Sequence, residues 1–283
     1  MSLLFNKEDM DVICVPTHHF CNLGCKMCHL TNNGLNKAMV PIKYEDFIEG
    51  LVSSLTKHDE KRTNKKKLLI SFMGVGEHLL NLKLIEDVYN SEDIIRKNGY
   101  DDIGYAIATM MPNNNILKLR DLVCSLNIPL KVHFSMHSPF YEEIFELIPS
   151  TKVSIEEALS YLVKYRKSLQ ENKTITDKYI KLHRTNDPVE IHYTLIKGVK
   201  DGHLELNKVC KLLEKYMIPI KFIRFNPINS LERSANEEKW TNTIKEKVPT
   251  LRIKIYSPPG REVCSSCGEF TKYYYHEEIE TDK

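Results

Sequence analysis

Apolar and β-branched residues come in short runs, and longer stretches between them repeat apolar positions every three or four residues. The first pattern suits strands buried on both faces and the second suits amphipathic helices, so their alternation predicts βα units and a parallel sheet. Strands are expected at 11–16, 67–73, 103–109, 130–135, 189–196 and 219–225. Helices are expected at 42–57, 82–97, 113–125, 154–169, 203–217 and 235–246. In the fourth of these, Ser154 and Glu157 have capping-box spacing, and Ile155, Ala158, Leu159 and Leu162 line one face. The polar stretch 170–188, ending in Thr185-Asn186-Asp187-Pro188, reads as a long surface loop, and the basic run Lys61 to Lys67 as a second. Six βα units fit an open doubly wound sheet or a partial barrel, and both place chemistry at the carboxyl ends of the strands.

Composition narrows the class. With 42% hydrophobic and 28% charged residues in 283, the chain is an ordinary globular one rather than disordered, collagenous or membrane-embedded. No stretch approaches the roughly 20 apolar residues of a membrane span. Lys7, Glu8, Asp9 and Asp11 follow too closely on Leu3, Leu4 and Phe5 for a signal peptide, so a cytoplasmic protein is expected. A net charge of +2 demands neither nucleic acid nor membrane. There is no repeat and no dividing linker, which points to a single domain. Eight cysteines in such a chain suggest metal or thiol chemistry rather than a disulfide framework. Cys14, Cys21, Cys25 and Cys28 lie near the start, and Cys264 and Cys267 near the end. Cys124 and Cys210 fall in apolar helical patterns and read as buried, inert thiols.

The strongest signal is Cys21-Asn22-Leu23-Gly24-Cys25-Lys26-Met27-Cys28, three thiols at C-x3-C-x2-C spacing just after the first expected strand. Three thiolates leave one iron of a 4Fe-4S cluster without a protein ligand, an open position for a substrate. A structural zinc needs a fourth ligand, which His18, His19 or His29 could supply. On that second reading the chain is a zinc-stabilised nucleic-acid-binding protein without catalysis. Further on, Phe72-Met73-Gly74-Val75-Gly76-Glu77-His78-Leu79-Leu80-Asn81 ends the second strand. Its glycines allow close backbone approach, and its carboxylate can accept from an amine.

The cysteine loop resembles that of the radical S-adenosylmethionine enzymes, which implies a partial (β/α)6 TIM-like barrel, with a core at about 11–250 and a C-terminal extension, 251–283. The resemblance also implies a 4Fe-4S cluster on Cys21, Cys25 and Cys28, with S-adenosylmethionine on the open iron. Met27 stands where an aromatic residue is usual and is an apolar substitute against adenine. More narrowly, the glycine segment is similar to Met-Gly-x-Gly-Glu-Pro-Leu-Leu-Asn of the RlmN/Cfr adenine methyltransferases, with His78 in place of proline. Ser135-Met136-His137-Ser138 resembles that family's Ser-Leu-His-Ala, and Phe225-Asn226-Pro227 its Asn-Pro turn. Ile191 to Asp201 likewise follows the strand that in the family runs into its Val-Asn-Asp turn. Cofactor contacts are therefore expected from Gly74, Gly76, Glu77, Ser135 and Asn226.

The family needs two more cysteines. Cys14 stands seven residues before Cys21, as the upstream one does, and Cys267-Gly268-Glu269-Phe270 resembles the C-terminal Cys-Gly-Gln-Leu. The implied chemistry runs through a methyl group carried on Cys267, because a methyl cation cannot be delivered directly to an electrophilic ring carbon of adenine. The methyl becomes a radical, adds to the ring and leaves a thioether; Cys14 then takes the ring proton and closes a disulfide to Cys267, releasing the product. The implied partners are an RNA or nucleotide-like substrate and an electron donor such as flavodoxin or ferredoxin. Phosphate contacts would come from Lys61 to Lys67 and the 173–184 stretch.

The resemblance has departures. Ala108-Thr109-Met110-Met111 stands where the family has Ser-Thr-Ser-Gly, losing hydroxyls, and Cys264 has no counterpart. Cys264 and Cys267 also have the C-x2-C spacing of an auxiliary metal site. The family's accessory domain ahead of the barrel has no equivalent in the 13 residues before Cys14. A partner protein replacing it, or a smaller substrate such as a free nucleotide or a peptide-like metabolite, is the corresponding expectation.

Overall fold

A computed structural model describes residues 3–6, 10–57, 67–183, 185–199 and 201–258. Eight strands hydrogen-bond in sequence order: β1 (Leu3–Asn6), β2 (Asp11–Val15), β3 (Lys67–Phe72), β4 (Asp102–Thr109), β5 (Leu130–Ser135), β6 (Val189–Tyr193), β7 (Ile220–Ile223) and β8 (Ile253–Tyr256). β1 runs antiparallel to β2, whereas β2–β3–β4 and β6–β7–β8 are parallel. The helices are α1 (His29–Asn32), α2 (Tyr44–Lys57), α3 (Leu82–Asn90), α4 (Glu92–Arg96), α5 (Ile116–Leu126), α6 (Tyr141–Leu147), α7 (Ile155–Glu171), α8 (Lys173–His183), α9 (His203–Tyr216) and α10 (Glu237–Lys247). No helix among the described residues is long and apolar enough to cross a membrane.

The chain divides into two compact units. The first comprises Met1–His19, Met39–His133 and Tyr161–Val189. Here β2, β3 and β4 are buried on both faces, as their unbroken apolar runs predict. One face carries the cluster of Val12, Leu69 and Ala106, with Met10 and Met73 packed against it. Cys14 lies on the face of Val12, half-buried, in register with Ser71 of β3.

The stretch 173–183, expected as loop, is helix α8, and the reason is visible in its spacing. Ile175, Tyr179 and Leu182 recur at four and three residues and are buried. Leu182 and His183 close over Gly104 of β4, where an added Cβ would stand 3.3 Å from Leu182. Lys181 pairs with Asp102 at 2.6 Å and Lys178 donates to the carbonyl of Asn127. These two lysines are therefore engaged within the protein, not held out on a loop for phosphate.

The second unit comprises Phe20–Ala38, Phe134–Ser160 and Glu190–Lys283. Tyr193, Phe222 and Trp240 form an aromatic cluster joining β6, β7 and α10. At the start of α7 the capping box is present: Glu157 N–H donates to the Ser154 hydroxyl, and Ser154 N–H and hydroxyl donate back to Glu157 Oε2.

The other differences are local. β1, β8 and α6 were not expected, and β8 carries regular structure past the boundary placed at 250. The expected helix 82–97 is broken at Ser91 into α3 and α4. Cys210 is buried as expected, but Cys124 is only half-buried. Cys264, Cys267 and most of the Lys61 to Lys67 run lie outside the described residues.

Candidate active site

In the first unit, the loop after β3 folds back on the end of β2. A Cβ on Gly74 would lie 3.1 Å from Pro16 N and 3.3 Å from Val15 C, so the backbones touch directly beyond Cys14. Gly76 has φ +101°, and a Cβ there would meet His18 Nδ1 at 2.4 Å. These glycines, expected to make room for a ligand, are already required by contact with the chain itself. Thr17 N–H donates to the carbonyl of Val75 at 3.3 Å. Asn81 donates from its side chain to the carbonyl of Thr17 at 3.0 Å and caps α3 through Leu84 N–H.

Glu77 sits at the centre of this cradle with 2% of its surface exposed. Its Oε1 accepts from the Thr109 hydroxyl at 2.5 Å and from Leu79 N–H at 3.2 Å, and its Oε2 from Met110 N–H at 3.0 Å. Burial pushes its pKa up to about 7 against the pull of these three donors, Thr109 first among them. Thr109, the one hydroxyl that this segment keeps, grips Glu77.

His78, the replacement for proline, is buried. Its Nδ1 donates to the carbonyl of Ala108 at 2.9 Å, and its Nε2 accepts from Gly74 N–H at 3.3 Å. Both ring nitrogens are committed to the neutral form, and burial holds the pKa down at about 4. His78 thus braces the glycine loop against the end of β4.

In the second unit, the cysteine loop runs into α1 with Cys28 as its N-cap. Backbone N–H groups of Leu30 and Thr31 hydrogen-bond the Cys28 sulfur, opposing the rise in thiol pKa that burial imposes. Gly24 turns the loop at φ +68°. Lys26 N–H donates to the carbonyl of Leu147, and the Ser150 hydroxyl to that of Leu23, tying the loop to α6 and the turn after it. Asn32 caps back onto the carbonyls of Lys26 and Cys28.

Cys21, Cys25 and Cys28 are all half-buried. Three thiols on one loop, with two backbone amides held on the Cys28 sulfur, suit a cluster that leaves one iron without a protein ligand.

The same unit brings the loop to the Asn226 turn. Met27, expected against adenine, packs with Ile196, Phe225 and Ile228, and Asn229 donates to Asn32 at 2.5 Å. Asn226 is buried beside this contact, and Ser135 is half-buried at the end of β5. His137, two residues on, has its pKa held down at about 4 by burial and by His192.

Sequence reasoning missed one polar group altogether. On β6, the buried carboxylate of Glu190 pairs with Lys221 of β7 at 2.6 Å, with His192 at 3.4 Å and with Arg252 at 3.6 Å. Alternation places Glu190 and His192 on the strand face opposite Tyr193, and the register sets His192 beside Lys221. The detectable signal was charge at alternate positions, Glu190 and His192, in an otherwise apolar strand.

No family model matches the chain. It is similar to a probable dual-specificity RNA methyltransferase RlmN of Clostridioides difficile (strain 630), 27% identical over 96% of this chain and 72% of that protein. The protein of the same name in Caldicellulosiruptor saccharolyticus is 25% identical over 94% of this chain and 70% of its own length. Among solved structures, a radical SAM methyltransferase from Sphaerobacter thermophilus superposes with a TM-score of 0.72 at 19% identity, covering 95% of this chain and 72% of that one. That likeness shows the fold, the α/β partial barrel expected from the cysteine loop. Relatives that match nearly its whole length, together with this fold, support an RlmN-like radical S-adenosylmethionine enzyme.

Proposed function

We propose that the protein methylates an sp2 ring carbon of an adenine-type base in RNA by way of a methyl group carried on Cys267. One observation carries the reading: matches over 96% of the chain are to proteins named RNA methyltransferases, and the chain adds Cys14 and Cys267 to the three cysteines of the loop. Cys21, Cys25 and Cys28 would hold a 4Fe-4S cluster, and Glu77 would accept from the amine of S-adenosylmethionine. Gly74, Gly76, Ser135 and Asn226 would complete the cofactor's seat. When bound, these groups supply a one-electron cleavage that yields a carbon radical, and a transferable methyl group.

The chain's own residues do the rest. Cys267 sulfur holds the methyl and becomes joined to the base through it. Cys14, half-buried at the carboxyl end of β2, is accessible enough for thiol chemistry. It would take the ring proton while the adduct's surplus electron passes to the electron carrier. Its sulfur would then bond to Cys267 sulfur as the carbon–sulfur bond breaks, the proton going to the released carbon to complete the methyl group, and the electron donor would reduce the disulfide. An electron donor such as flavodoxin or ferredoxin, a cytoplasmic setting and a partner protein that grips RNA belong to the same proposal.

The test is incubation of anaerobically reconstituted, reduced protein with methyl-labelled S-adenosylmethionine and either total RNA or free adenine nucleotides. Label in an RNA adenine supports the reading. Label only in nucleotides overturns the substrate. Colourless protein that holds zinc and releases no 5'-deoxyadenosine overturns the enzyme chemistry.

A further inference from the structure

We propose that Thr109 is a positioning residue for Glu77: its hydroxyl can only donate to the carboxylate, and so fixes both the charge of Glu77 and the direction left open for an amine. The inference rests on the reading of Glu77 as the acceptor for the amine of S-adenosylmethionine. Its geometric basis is a chain of two hydrogen bonds. Met111 N–H reaches Thr109 Oγ1 at 2.7 Å and takes one of the hydroxyl's two acceptor positions, and the ionised carboxylate beside it can only accept. The hydroxyl proton is then directed to Glu77 Oε1, 2.5 Å away. A positive φ of 52° at Met111 marks the turn after β4 from which Met110 N–H also reaches Oε2.

An ionised carboxylate has about four acceptor positions. Leu79, Thr109 and Met110 fill three of them, both on Oε1 and one on Oε2. One acceptor position on Oε2 remains, and its direction is fixed because three bonds from two separate segments prevent the carboxylate from rotating. A hydrogen bond to a charged acceptor is roughly twice as strong as a neutral one. In a site where burial opposes charge, removing this donor raises the pKa of Glu77. His18 and His78 are the ionisable neighbours in the cradle, both with pKa held down by burial, and neither is altered by a change at Thr109.

Thr109→Val keeps the shape and removes the hydroxyl. With Glu77 at about 7 in the wild type, an upward shift of about one unit changes the ionised fraction in a pH-dependent way. The ratio of S-adenosylmethionine Kd, variant over wild type, is then roughly 9 at pH 6, roughly 5 at pH 7 and close to 1 at pH 9. Taking the ratio cancels the cofactor's own titration. The measurement is equilibrium dialysis of S-adenosylmethionine against reconstituted, oxidised protein, in which no turnover occurs. Thr109→Ser should restore the wild-type profile, and Thr109→Val should add nothing in a Glu77→Gln background.

A ratio that does not change with pH, or no effect at all, overturns the proposal. The protonated carboxyl band of Glu77, identified in the infrared by its loss in Glu77→Gln, provides a second readout. It should persist to higher pH in Thr109→Val, and in Thr109→Ala should the valine variant not fold; an unchanged titration would equally overturn the role of Thr109. Wild-type protein that does not bind S-adenosylmethionine would sink the functional reading instead, and the infrared titration would still decide the role of Thr109.

Discussion

Gly76→Ala tests whether the cradle is built by contact between the glycine loop and the end of β2. Two costs arise. An L-residue at φ +101° is strained, by about 1–3 kcal/mol. The new Cβ would also stand 2.4 Å from His18 Nδ1 and 2.8 Å from its Cβ. His18 has 2% exposure and lies 2.9 Å from the Thr17 hydroxyl, so it cannot swing aside. Overpacking of this kind costs about 1–3 kcal/mol. Subtracting roughly 0.4–1 kcal/mol for the stiffer unfolded chain leaves a loss of about 1–5.6 kcal/mol.

The assay is urea unfolding followed by circular dichroism. Gly50→Ala is the internal comparison: Gly50 lies within α2 with nothing within 4 Å of an added Cβ, and alanine there should stabilise by about 0.5–1 kcal/mol. Adding His18→Ala to Gly76→Ala should recover the part of the overlap cost that the imidazole ring causes, leaving the close approach to the His18 Cβ and the strain. A loss below about 1 kcal/mol for Gly76→Ala, or no recovery in the double variant, would refute the argument.

Three further outcomes are expected. His78 has a folded pKa of about 4 against 6.5 unfolded, so as pH falls through that window the unfolded state takes up the proton first and stability is lost. Glu77, raised to about 7 from 4.5, acts oppositely: its contribution is present below pH 4.5 and is lost as pH rises through 7. The stability difference between wild type and His78→Gln should therefore grow by up to about 3 kcal/mol from pH 4 to 6.5, and a flat difference in urea titrations would contradict it. Lys221→Met leaves the buried Glu190 with only its looser partners and should cost about 2–4 kcal/mol, most of it recovered in the double variant with Glu190→Gln. Leu182→Ala, trivial in a surface loop, should cost about 2–5 kcal/mol if α8 is packed as described; unaltered urea unfolding would count against that packing.

The sheet was legible because its strands are buried on both faces, so Ile13, Ile70 and Ile107 announce themselves as unbroken apolar runs. Helix α7 was legible from its capping box and one-sided stripe. Helix α8 was not, because three buried apolar residues and the exposed Ile180, set among lysines, threonines and an aspartate, look like surface until Gly104 is seen beneath Leu182. Short elements such as β8 and α6 span too few periods to stand out.

At the site, residue types with one evident chemistry were readable: the cysteine loop by spacing and Glu77 by its glycines. What sequence could not give was how those residues are held. The Thr109 bond to Glu77, the grip of His78 on Gly74 and the pairing of Glu190 with Lys221 all depend on strand register and loop return. No local pattern records these.

The central claim is that Cys267 carries the methyl group. The direct measurement is peptide mass spectrometry of protein expressed with iron and sulfide supply, looking for one added methylene unit of about 14 Da. The account requires that increment on Cys267 and its loss in Cys267→Ala. An unmodified Cys267 in protein that holds its cluster and cleaves S-adenosylmethionine would contradict it, leaving a radical enzyme whose Cys264 and Cys267 do other work.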